Sequence, residues 1–187
     1  MTYCTRDWPE MPSPDTTAQQ RAANIRLLAL DVDGILTDGR IVYGNNGEEL
    51  KAFNIKDGLG IKLLQQAGVN VAIITGRQSA IVARRAGELG IEHVIQGRED
   101  KREALEELCR LCELAPNDCA YMGDDLPDLG AINHCGLGMT VADASAEVRE
   151  AALWQSQRCG GDGAVREACE FILRARGAWD QTTRDFS

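Results

Sequence analysis

Apolar residues come in short blocks along this chain, separated by longer stretches in which they recur every three or four positions. Leu27-Leu28-Ala29-Leu30, Val69-Asn70-Val71-Ala72-Ile73-Ile74, His93–Gln96, Cys119-Ala120-Tyr121-Met122 and Gly136–Val141 have the length and content of buried strands. The intervening periodic stretches predict helices over 57–66, 78–88, 101–113, 127–132, 145–152 and 164–176, with a last edge strand at 153–156. Asp57 is the expected cap of the first helix, Gly68 its stop, and Pro116 closes the third. Strand and helix alternate almost throughout, which predicts an α/β fold with a doubly wound parallel sheet.

One stretch breaks the alternation. Arg40–Gly44 and Glu48–Phe53 flank Asn45-Asn46-Gly47, the turn chemistry of a β-hairpin placed directly after the first strand. An isolated hairpin is marginal in water, so its apolar side needs a surface to pack on, and another subunit is one candidate. Residues 1–22 hold Pro9, Pro12 and Pro14 among polar neighbours and read as a flexible N-terminal arm. The domain then spans 23–177, followed by a C-terminal tail over 178–187.

The length of 187 residues suits one domain, and 44% apolar content suits a packed core. No apolar run approaches membrane-spanning length and none has the form of a secretory signal, so a cytoplasmic protein is expected. A net charge of −9 argues against nonspecific nucleic-acid binding. Seven cysteines are an odd count for a disulfide framework. Cys109 and Cys112 have the spacing of half a zinc site, but Ala104, Leu105, Leu108, Leu111, Cys112 and Ala115 form one helical apolar stripe, so packing is the better reading. His93 and His134 fall in no metal-binding or triad pattern.

Candidate chemistry gathers at strand ends. Asp31-Val32-Asp33-Gly34 follows the first strand, Thr75-Gly76-Arg77 the second, and Gly123-Asp124-Asp125 the fourth, while Lys101 opens a helix between the last two. An Asp-Gly turn after a strand is by itself unremarkable. In a parallel sheet, however, these ends share one edge and can meet around one pocket. Carboxylates suit a hard cation such as Mg²⁺, and hydroxyl, lysine and backbone N–H groups suit phosphoryl oxygens. One carboxylate can accept a phosphoryl group covalently while a second moves the proton of the leaving alcohol. The cation and lysine offset a repulsion of about 4 kcal/mol between unit charges 4 Å apart at an effective dielectric near 20.

On these residues the chain resembles the haloacid dehalogenase-like phosphatases. Asp31–Asp38 matches their first motif, Ile73–Arg77 contains the second, Lys101 matches the third, and Gly123-Asp124-Asp125-Leu126-Pro127-Asp128 the fourth. Gly44–Asn54, Asp57-Gly58 and the stretch from Gly160 to Glu167 draw the resemblance towards the 3-deoxy-D-manno-octulosonate 8-phosphate phosphatases of that superfamily. It covers about residues 24–177.

The resemblance implies a Rossmann-like core without a cap domain, and a Mg²⁺-dependent phosphatase acting on an anionic phosphorylated sugar acid for lipopolysaccharide synthesis. Asp31 is then the nucleophile and Asp33 the general acid/base. Metal ligands are Asp31, Asp33 through its backbone carbonyl, and Asp124. Thr75 and Lys101 grip the phosphoryl group, with Asp128 and Asp125 supporting the metal loop. Substrate contacts fall on Asp33, Asn54, Ile55, Lys56, Asp57, Gly58, Lys62, Gly76, Arg77, Arg85 and Lys101. Lys56, Lys62 and Arg85 read equally well as solvated surface charges. A homotetramer with hairpins joined in a central barrel is also implied. One departure stands out: relatives often carry a basic residue between the glycines of the C-terminal loop, where this chain has Asp162. Two other functions fit the same residues: a phosphatase of nine-carbon keto-sugar acids of the sialic-acid type, and a receiver-like phospho-acceptor switch.

Overall fold

The structure, a computed structural model, describes residues 16–186. Helix α1 (Thr16–Ala22) leads into strand β1 (Leu27–Leu30). The hairpin strands β2 (Val42–Tyr43) and β3 (Glu49–Leu50) follow, then α2 (Ile55–Gln66), β4 (Asn70–Thr75), α3 (Ala80–Leu89) and β5 (His93–Gln96). The second half runs α4 (Lys101–Leu111), β6 (Cys119–Met122), α5 (Leu129–His134), β7 (Leu137–Thr140), α6 (Ala146–Ala151), β8 (Trp154–Gln155), α7 (Ala164–Ala175) and α8 (Trp179–Thr183).

Six strands form one parallel sheet in the order β5-β4-β1-β6-β7-β8, and β2 pairs antiparallel with β3 outside it. The chain leaves β1 towards β4 on one side and later returns to β6 on the other, so the crevice beyond Leu30 is the topological switch point, where open α/β sheets bind ligands. Helices α1 and α2 pack on α7, and α4, α5 and α6 pack in succession, covering the sheet as right-handed crossovers require. All four residues of β1 are buried, as are those of β6 and β7. A strand buried on both faces reads as an unbroken apolar run, which is why the pattern located it.

The predicted strands and helices are met to within a few residues, with three corrections. The expected cap Asp57 lies inside α2, whose cap is Asn54: its side chain accepts the Lys56 N–H at 2.9 Å. The expected helix over 127–132 is a 3₁₀ turn at Leu126–Asp128 running into α5. The last seven residues of the expected flexible arm form α1, with Ala18 and Ala22 buried against the domain; residues 1–15, with Cys4, lie outside the described part. The tail contributes α8, whose Trp179 takes the Arg174 guanidinium over its ring at 4.6 Å.

Candidate active site

Gly34 makes the first decisive turn. Its φ of +97° is left-handed, and a Cβ there would collide with the Asp124 carboxylate, so only glycine lets the β1 and β6 loops close on each other. The result is a cavity of about 280 Å³ beyond the sheet, lined by Asp31, Asp33, Thr75, Gly76, Arg77, Lys101, Asp124, Asp125 and Asp128 among others. Strand ends some ninety residues apart in sequence are thereby brought to one place.

The floor of this cavity is a buried ion network. Lys101 Nζ stands 2.9 Å from Asp31 Oδ1 and 3.2 Å from Asp128 Oδ1, and donates to the Ile74 carbonyl at 3.1 Å. Tyr121, fully buried on β6, donates to Asp128 Oδ1 at 2.7 Å. The other Asp128 oxygen accepts the N–H groups of Asp124 at 3.0 Å and Asp125 at 3.2 Å, which folds the loop after β6. Asp128 is thus spent on structure. Asp125 is exposed at the cavity rim.

Burial and the like charge of Asp128 raise the Asp31 carboxyl to about 6, against the pull of Lys101. Burial again, with Asp128 and Asp31, raises Asp124 to about 7. Burial alone would lower Lys101, but Asp31 and Asp128 outweigh it and hold the ammonium above its ordinary range. Oxygens of Asp31, Asp124 and Asp128 lie within 4.8 Å of one another, and Asp31 Oδ1 is buried with no hydrogen-bond donor among the described residues, its Lys101 contact being an ion pair off the hydrogen-bonding direction. Crowded carboxylates with an orphaned oxygen are a donor set suited to a hard divalent cation such as Mg²⁺. Because both Asp128 oxygens are already engaged, Asp31 and Asp124 are the side chains free to hold it.

The expected substrate residues divide. Gly76 and Arg77 line the cavity, and the Thr75 hydroxyl accepts the Arg77 N–H at 3.4 Å. Asn54, Ile55, Lys56, Asp57, Gly58, Lys62 and Arg85 do not line it. Ile55, Lys56 and Lys62 are exposed on α2. Arg85 covers the Phe53 ring at 5.8 Å and pairs with Glu88 at 3.3 Å, beside a second, smaller cleft shared with Lys51 and Arg84. Gly58 is buried beneath Arg85. Asp57 is 1% exposed and turned towards α7, where its Oδ1 accepts the Arg166 N–H at 2.7 Å. Asn54 donates to the Gly161 carbonyl at 3.3 Å. Arg166 pairs with Glu170 at 2.6 Å.

Sequence reasoning missed Tyr121, Glu49 and Lys51. Tyr121 was hidden inside a strand that reads as wholly apolar. Lys51 and Glu49 sit in the hairpin, and Lys51 Nζ pairs with Asp33 Oδ1 and, at 3.4 Å, with Glu49 Oε1. Alternation in that hairpin, with Leu50 facing outward between them, was the available signal.

Comparison with known proteins gives the family and the fold. The haloacid dehalogenase-like hydrolase family matches residues 55–136. The 3-deoxy-D-manno-octulosonate 8-phosphate phosphatase of Escherichia coli (strain K12) is 47% identical over 161 residues, 86% of each chain. The chain belongs to this phosphatase family. Among solved structures, the family's Moraxella catarrhalis enzyme, crystallised with a magnesium ion, a phosphate ion and a KDO molecule, superposes with a TM-score of 0.90 at 48% identity, covering 91% of this chain and 98% of that one. The cobalt-bound Haemophilus influenzae enzyme gives 0.82 at 41% identity, covering 84% and 92%. The family fold therefore extends over nearly all of the described residues.

Proposed function

We propose that this chain hydrolyses 3-deoxy-D-manno-octulosonate 8-phosphate to the free sugar acid and phosphate, a step in supplying lipopolysaccharide precursors. The observation that carries the reading is Asp31: a buried carboxylate with an orphaned oxygen, set between Lys101 and Asp124 at the switch point of a sheet shared with phosphatases of that substrate.

In the first half-reaction an Asp31 oxygen bonds to phosphorus as the bond to the sugar oxygen breaks, and Asp33 gives that oxygen its proton. In the second, water attacks the aspartyl-phosphate and passes a proton to the Asp33 carboxylate as the acyl-phosphate bond breaks, releasing phosphate and restoring the Asp31 carboxylate and the Asp33 acid. Lys101 and the Thr75 hydroxyl hold the phosphoryl oxygens. Asp31, Asp124 and the Asp33 carbonyl would hold Mg²⁺, which supplies charge neutralisation between an anionic nucleophile and an anionic ester. Asp128 and Asp125 shape the loop that presents Asp124. Gly76 and Arg77 meet the substrate from the cavity wall.

The remaining expected contacts imply an assembly. Ile41, Val42, Tyr43 and Leu50 leave 46–65% of their surfaces exposed on one small hairpin, and Ile55 leaves 82%. Single exposed apolar residues are ordinary, but a contiguous group marks an interface. A homotetramer joined through these hairpins covers that group. It also sets the exposed Ile55, Lys56 and Lys62, with the half-buried Arg85, beside a neighbouring subunit's cavity, where their cations meet the sugar carboxylate.

The deciding experiment is phosphate release from the eight-carbon and the nine-carbon sugar acid phosphates, with Mg²⁺ and with a chelator. A strong preference for the eight-carbon ester that chelation abolishes is the expected result. Preference for the nine-carbon ester overturns the substrate assignment, and metal-independent turnover overturns the chemistry.

A further inference from the structure

We propose that Lys51 is a positioning residue for the acid/base carboxylate, holding Asp33 through a ring of alternating charges that the hairpin closes over the site. The inference rests on the phosphatase reading and adds to it a residue outside the strand-end motifs.

Four side chains make the ring. Lys51 contacts Asp33 Oδ1 and Glu49 Oε1; Arg77 closes the other side, its Nε 3.9 Å from Asp33 Oδ2 and its Nη2 3.7 Å from Glu49 Oε1. The Tyr43 hydroxyl stands 3.5 Å from the same Arg77 Nη2. These contacts are unequal. Among the described residues Glu49 Oε1 and Arg77 Nε are buried without a hydrogen bond, so their links are ion pairs at a distance, whereas Lys51 donates a hydrogen bond directly to Asp33. The Lys51 side chain is 1% exposed. An ammonium so buried is tolerable only because two carboxylates receive it, and removing either leaves an uncompensated charge.

Asp33 needs such a partner. It follows the end of β1 by three residues, next to the left-handed Gly34, with its side chain 20% exposed and, among the described residues, no second hydrogen-bond donor. A free carboxylate there would rotate among several orientations. Proton transfer requires the donor oxygen within about 2.6–3.2 Å of the departing oxygen. With Lys51 engaging Oδ1, Oδ2 is the oxygen presented to the leaving group, on the side of Arg77. Lys51 follows β3 directly, so placement of the hairpin sets the aim of the acid.

The role predicts selectivity by leaving group. A sugar alkoxide must be protonated as it departs, whereas p-nitrophenolate leaves without help. In Lys51→Gln, kcat/KM on the sugar acid phosphate is expected to fall about 30-fold or more, as misplacing a proton donor does. On p-nitrophenyl phosphate the loss is expected to stay within about threefold, and Ki for inorganic phosphate likewise. Glu49→Gln, which frees Lys51 to move, is expected to show the same selectivity at smaller amplitude. Equal losses on both esters, or a rise in Ki that parallels the loss, would overturn the proposal in favour of a general structural or phosphate-binding role. If Lys51→Gln does not yield folded protein, Glu49→Gln decides alone: selective loss supports the role, and unselective or absent loss overturns it. If the wild-type enzyme ignores the sugar acid phosphate, the substrate reading fails instead, and the same ratio is taken on whichever alkyl phosphate it hydrolyses fastest.

Discussion

Asp31 answers two opposed demands. As a nucleophile it must be ionised, yet burial beside Asp128 raises it to about 6, and Asp124 beside it reaches about 7. In the metal-free chain, protons and a divalent cation therefore compete for the same oxygens. Since both carboxyls are raised, proton binding dominates below about 6–7 and is absent well above it. The affinity for Mg²⁺ is thus expected to weaken steadily as pH falls from about 7 towards 5 and to level off above 7, as titration calorimetry across that range would show. An affinity that is flat with pH would contradict the crowding described. Replacing the nucleophile tests the chemistry more directly. Asp31→Asn is close to isosteric and removes one like charge from the cluster, so the chain is expected to fold normally while turnover drops by about 10³-fold or more, a barrier increase of about 4 kcal/mol. A variant that retains activity, with no labelled phosphate on residue 31 in the wild type, would remove Asp31 from that role.

Among the elements, the contact between α2 and α7 links the site to the C-terminal loop. Asp57 on α2 accepts N–H groups at the start of α7, and a Cβ on Gly160 would collide with the Gly34 carbonyl. Loop 160–163 thus lies directly against the turn that shapes the cavity. Asp162 donates its backbone N–H to the Cys159 carbonyl there, and it opposes Asp57 electrostatically. Burial raises the Asp57 carboxyl to about 6 from its usual 3.8, the backbone N–H groups of Arg166 and Gly163 opposing the shift. Between those values the folded chain holds this proton more tightly than the unfolded chain, so its contribution to stability is lost as pH rises from about 4 through 6. Asp57→Asn keeps an acceptor for Arg166 without a charge. Its melting temperature relative to wild type is therefore expected to rise as pH goes from 4 to 7, measured with Mg²⁺ held constant. A variant-minus-wild-type difference that stays flat or falls over this range would refute the assignment.

For the molecule as a whole, the unfinished part is the hairpin. It touches the site on its inner side through Lys51, Glu49 and the Tyr43 hydroxyl, turns the paired Val42 and Leu50 outward, and leaves much of Ile41, Val42, Tyr43 and Leu50 exposed. If those four residues join subunits, a charge placed among them must break the assembly. Val42→Asp combined with Leu50→Lys is expected to convert the oligomer to monomer in sedimentation experiments, with α/β circular dichroism intact because the six-stranded sheet lies elsewhere. Activity on the sugar acid phosphate is expected to fall with dissociation. A wild-type chain that sediments as a monomer at micromolar concentration would end the tetramer proposal.

Much of this architecture is readable from residue order alone. Strands buried on both faces are unbroken apolar runs, helices carry their period, and a parallel sheet obliges its strand ends to share an edge; Asp31, Thr75, Lys101 and Asp124 are visible for that reason. What sequence order leaves undetermined is partnership between side chains far apart in the chain. Asp57 has the look of a local helix cap and instead serves α7 more than a hundred residues away; Tyr121 has the look of core and instead ties down Asp128. Lys51 has the look of a solvated hairpin charge until packing withdraws it from water and sets it against Asp33. Periodicity reports which face of an element is buried, but a buried polar group finds its partner only when separate elements meet. That choice is made by tertiary packing, because the cost of leaving such a group unpaired arises only once water has been excluded.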